Sequence, residues 1–129
     1  MIDGILDDIA IVQHYALIDL GVNGIAALQE ASTKTHYQEI IDAIHTKWPD
    51  CKIYLTKPWM RDADVYADNL AGWIDDLITD NSGYCYVADD ERGWLKGSDN
   101  GVTMTIDGVH YNAVGYAEKI NQMVTVFGY

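Results

Sequence analysis

Apolar residues in this chain recur in two alternating rhythms, and that alternation leaves few folds open. Tyr37, Ile40, Ile41, Ile44 and Trp48 repeat at intervals of three and four, the stripe of an amphipathic helix that Pro49 and Asp50 terminate. Lys52 to Leu55 follows as a short strand. The same pair returns in Leu70, Trp73, Ile74, Leu77 and Ile78, a stripe ended by Asn81-Ser82-Gly83, and in a strand at Tyr84 to Val87. An earlier strand is expected at Tyr15 to Leu20, preceded by a short helix carrying Ile2, Ile5, Leu6 and Ile9. A last helix is expected from Ala113 to about Val124, with Asn112 as its cap. Helices alternating with short apolar strands predict βαβ units, right-handed crossovers and a parallel sheet covered on both faces.

The chain has 129 residues, which suits a single domain over 1–129. It shows no internal repeat and no linker. Eight Lys and Arg stand against 20 Asp and Glu, a net charge of -12, so its field repels phosphate backbones and anionic membranes and excludes nucleic acid as a partner. No stretch approaches the roughly 20 apolar residues of a membrane helix. Met1-Ile2-Asp3-Gly4 lacks the basic and apolar regions of a signal peptide, and a cytoplasmic setting is expected. Cys51 and Cys85 are too few and too far apart for a disulfide framework or a zinc site and read as reduced, buried thiols. His14, His36 and His45 show no ligand spacing; neither a metal nor a cofactor is expected.

In parallel sheets of this kind, ligands bind beyond the carboxyl ends of the strands. Asn23 follows the first expected strand, Lys57-Pro58-Trp59-Met60-Arg61 the second, and the segment from Ala88 to His110 the third. Within that last segment Asp107 precedes His110 by three residues on a short turn. A carboxylate so placed reaches the Nδ1 hydrogen of the imidazole, fixes its tautomer and leaves Nε2 as a general base. Asn23, in Gly21-Val22-Asn23-Gly24, offers a side-chain amide to a developing oxyanion, although Asn-Gly is also a common turn dipeptide.

In this order the two motifs resemble the SGNH (GDSL-like) hydrolase superfamily, whose third block is Gly-x-Asn-Asp and whose fifth is Asp-x-x-His followed by Gly-Tyr. Here the matching residues are Gly21 and Asn23, then Asp107 and His110 with Gly115-Tyr116; Gly24 departs from the pattern, which has Asp there. The resemblance runs from about Tyr15 onward. It implies a three-layer αβα, flavodoxin-like parallel sheet truncated at the N-terminus, with three of five strands present and the Gly-Asp-Ser nucleophile block expected before Met1. It also implies ester hydrolysis of a small-molecule substrate, which could be a carboxylic ester, a thioester, an acetylated sugar or a lipid. In that chemistry a serine attacks the carbonyl, His110 takes its proton, Asp107 orients His110 and Asn23 helps hold the oxyanion.

The nucleophile is not found in this chain. Ser32, Ser82 and Ser98 sit in sequences suited to caps and turns, and Cys51 and Cys85 lie before or within expected strands. Trp59, Arg61 and Trp94 fall on loops that can line a pocket, with loop packing the plainer reading. Three functions therefore stand side by side: an esterase whose serine lies on another segment or polypeptide, a catalytically inactive binding or assembly module, and a weak hydrolase in which His110 activates water. Losing the neighbouring strands makes Tyr15 to Leu20 an edge, so pairing with a second copy or with a complementary N-terminal chain is expected.

Overall fold

The computed structural model describes residues 13–61, 63–95 and 103–127. Three strands, β1 (Tyr15–Ile18), β2 (Lys52–Lys57) and β3 (Cys85–Asp90), form a parallel sheet in the order β1-β2-β3. Helix α1 (Glu30–Lys47) joins β1 to β2, and α2 (Asp64–Asp80) joins β2 to β3. A single turn, α3 (Glu91–Trp94), follows β3 directly, and α4 (Ala113–Phe127) is the last described element. The chain is thus an α/β fold with a small parallel sheet. No described helix is long and apolar enough to cross a membrane. The helix expected around Ile2 to Ile9 lies outside the described residues.

Each strand sends alternate side chains to opposite faces. Ile53 and Leu55 of β2 are fully buried in one core with Ile41 and Ile44 of α1 and Leu70, Ile74 and Leu77 of α2. Ala67 and Ala71 bring α2 close to the sheet. Tyr54 points the other way and meets Phe127 of α4, ring centroids 4.7 Å apart. Helices therefore cover both faces, the second one only in part. Tyr15 and Leu17 of β1 remain 55% and 44% exposed, and Val114, Ile120 and Val124 of α4 are exposed as well.

Element boundaries differ from the sequence-based expectation in three places. β1 stops at Ile18, because Leu20 is exposed and its carbonyl accepts a hydrogen bond from the Tyr37 hydroxyl instead of a strand partner. α1 begins seven residues before Tyr37, with Thr33 continuing the buried stripe as a polar residue. β3 starts at Cys85 and runs on through Asp90, since a shift in register after Leu55 pairs Thr56 with Asp89 and Lys57 with Asp90. Cys51 and Cys85 are buried free thiols at the amino ends of β2 and β3; burial pushes the Cys85 thiol up to about 11.

Candidate active site

The loop before α4 is built by local hydrogen bonds. Thr105 and Tyr111 close it as an antiparallel bridge, with the Ile106 N–H on the His110 carbonyl at 2.8 Å. Inside it, Asp107 Oδ1 accepts from the backbone N–H groups of Val109 (3.0 Å) and His110 (2.9 Å), while Oδ2 lies 2.7 Å from His110 Nδ1. The His110 backbone N–H, then its imidazole and the Val109 N–H, hold the Asp107 carboxyl well below the usual carboxylate range. An ionised carboxylate can only accept, so Nδ1 carries the hydrogen, and in the neutral imidazole Nε2 presents the lone pair. Among the described residues no group bonds Nε2, and the His110 side chain is 73% exposed.

Helix α4 starts where this loop ends. Asn112 Oδ1 accepts from the Val114 and Gly115 N–H groups, which caps the helix as its position implies. The Asn112 N–H donates to the Met104 carbonyl and its Nδ2 to the Thr103 carbonyl, tying the helix to the loop's other arm. A Cβ on Gly115 would fall 2.1 Å from the Met104 carbonyl oxygen, a backbone atom that cannot rotate away. Gly115→Ala is therefore expected to destabilise the chain by about 1–3 kcal/mol through overpacking. Gly72, inside α2 with open space where a Cβ would go, gives the opposite sign: Gly72→Ala is expected to stabilise by about 0.5–1 kcal/mol. Urea denaturation of both variants checks the pair.

Beneath the dyad lies a buried cluster of charges. Glu91, 1% exposed, accepts from the Trp59 backbone N–H at 2.9 Å, from the Tyr111 hydroxyl and from the Lys119 ammonium. Lys119, 6% exposed on α4, also lies 3.1 Å from Asp19 and 3.8 Å from Asp89. Burial alone lowers an ammonium's pKa, but Glu91 and Asp19 outweigh it and hold Lys119 above its ordinary value. Burial raises Asp89, against the Trp94 indole N–H that binds its Oδ1. Asp19 follows β1, Trp59 follows β2, Glu91 follows β3 and Tyr111 is next to His110. One set of charges, buried except for the exposed Asp19, thus gathers the loops at the carboxyl end of all three strands.

Asn23 lies in the loop after β1, exposed, in a turn whose next residue, Gly24, has φ 72°. That left-handed backbone favours glycine over the Asp of the resembled pattern. No hydrogen bond among the described residues links Asn23 to Asp107 or His110. Trp59 and Trp94 are buried in the core, their indoles bonded to Asp64 and Asp89. A cavity of about 450 Å³ opens between β3, α3 and α4, lined by Asp89, Asp90, Trp94 and Gln122 among others; neither His110 nor Asn23 lines it. The dyad instead stands on an open rim. Ser32 bonds the Gln29 carbonyl in the first turn of α1, and Ser98 lies outside the described residues. His14 and His36 are exposed, while His45 stacks on Tyr84 at 3.8 Å. Among the described residues no three His, Cys, Asp or Glu side chains group to hold a metal ion.

Sequence reasoning overlooked the Glu91 cluster. Its one sequence signal is Lys119 four residues after Gly115, on the same face of α4. Compared with known protein-family models and with curated protein sequences, the chain matches none.

Proposed function

We propose that this chain contributes the base, the orienting carboxylate and an oxyanion donor to an SGNH-type serine esterase whose nucleophile lies on another polypeptide segment. The observation that carries this reading is the 2.7 Å contact between Asp107 Oδ2 and His110 Nδ1, in a hydrogen-bonded turn, with Nε2 open to an incoming hydroxyl. The serine hydroxyl attacks the ester carbonyl while Nε2 takes its proton. The tetrahedral oxyanion is held by donors that include the Asn23 amide. Collapse expels the alcohol, protonated by His110, and leaves an acyl-serine; water, activated by the same Nε2, then releases the acid.

The exposed apolar side of the fold supports where that segment sits. Among the described residues β1 pairs only with β2, and Tyr15, edge-on to Phe127, and Leu17 stay exposed on a face that α4 covers only in part and otherwise leaves uncovered. An added parallel strand beside β1, followed by a helix against Ile120 and Val124, would cover both and bring a strand's carboxyl end to the rim that holds His110. The same uncovered face favours a second reading, a silent assembly module that keeps the dyad as a structural turn.

The two are separated by joining to the chain a strand–turn–helix segment that carries a Gly-Asp-Ser turn and measuring hydrolysis of p-nitrophenyl acetate. The esterase reading expects turnover and stoichiometric fluorophosphonate labelling of the added serine, with the chain alone giving neither. A folded, joined protein that neither turns over nor labels would leave the assembly module. Labelling of Ser32, Ser82 or Ser98 in the chain alone would overturn the need for a second segment.

A further inference from the structure

Besides the Tyr111 hydroxyl on Glu91, the dyad turn is tied to the segment after β2 by Arg61. The Arg61 backbone N–H donates to the Gly108 carbonyl at 2.9 Å, and its Nη2 donates to the Asp107 carbonyl at 3.2 Å. Gly108, at φ 91°, is the residue over which this side chain lies: a Cβ there would stand 2.8 Å from Arg61 Cβ and 2.8 Å from its Nε. The Asp107–His110 contact is made inside the turn, by Asp107's own bonds to Val109 and His110. Arg61 bonds instead to the backbone of the turn, and it stands four residues beyond the end of β2. Its bonds therefore bear, with that of Tyr111 to Glu91, on where the turn sits relative to the strand ends, not on whether its two side chains meet.

We propose that Arg61 is a positioning residue that docks the Asp107–His110 turn, through the backbone of Asp107 and Gly108, onto the carboxyl end of β2. The catalytic consequence rests on the esterase reading; the docking does not. Removing the guanidinium takes away the bond to the Asp107 carbonyl and leaves the backbone bond to Gly108, which loosens the turn as a unit while its internal bonds persist. Misplacement of a base by about 1 Å costs up to about 100-fold in rate.

The test is Arg61→Ala, with Arg61→Lys as the conservative variant. In the chain as it stands, nitrogen-15 relaxation dispersion is expected to show microsecond-to-millisecond exchange at residues 105–111 in Arg61→Ala, with β1 to β3 unchanged. Arg61→Lys, which keeps a cation within reach of the Asp107 carbonyl, is expected to recover part of the order. In the protein joined to a serine-bearing segment, Arg61→Ala is expected to lower kcat by about 10- to 100-fold at unchanged KM. Exchange without turnover in any version would uphold the docking and reject the esterase reading. A lowered melting temperature with sharp, native signals from 105–111 is what a merely structural residue gives, and it would overturn the proposal.

Discussion

Lys119→Met is expected to cost about 3–5 kcal/mol, because it takes the ammonium that, among the described residues, lies between Asp19 and the buried Asp89 and Glu91, and leaves those carboxylates facing one another. Methionine keeps most of the aliphatic stem, so lost packing is a small part of the change. Small domains are stable by only about 5–15 kcal/mol, and the variant should unfold at markedly lower urea than the parent. The pH dependence identifies the cause. Burial already raises Asp89, and without Lys119 its folded pKa rises further above that of the unfolded chain. A carboxylate raised in the folded state gives its full stability below the unfolded pKa, about 4, and loses it as pH climbs through the folded value. Lys119→Met should therefore be least impaired near pH 5 and most impaired near pH 8. Glu91→Gln in the same background removes one of the crowded charges and should recover part of the loss, a coupling that a double-mutant cycle measures. A penalty that stays flat between pH 5 and pH 8 would show that packing, not charge, is what Lys119 provides.

The reasons that the cluster escapes sequence reading are physical. Glu91 and Lys119 are 28 residues apart, and a charged residue on a helix or just after a strand reads as solvated unless its partner is known. The Asp107–His110 contact lies at the other extreme, since three residues on a turn determine it locally. Asn112 is similarly legible, because a cap acts on the two N–H groups that follow it. Elements whose apolar spacing is complete, such as Leu70 to Ile78, stand where the spacing puts them. Boundaries fail where polar residues do apolar work, as Thr33 does in α1, or where buried charge extends a strand, as at Asp89. The parallel order β1-β2-β3 follows from short crossovers through α1 and α2.

Asp107→Asn, in the protein joined to a serine-bearing segment, is expected to lower kcat by about 10⁴-fold, about 5.5 kcal/mol of barrier. The amide is nearly the size of the carboxylate, so the turn survives: Oδ1 can still accept from the Val109 and His110 N–H groups. What changes is the group that faces Nδ1. An NH₂ there donates, which forces Nδ1 to accept and moves the imidazole hydrogen to Nε2, where the serine needs a lone pair. His110→Ala should fall as far, and the two together hardly further, because they act as one unit. Nitrogen-15 shifts of the imidazole check the tautomer without any substrate: Nδ1–H in the parent, Nε2–H in Asp107→Asn. If the tautomer inverts while turnover holds, His110 is not the base; if neither changes, the 2.7 Å contact does not govern the ring.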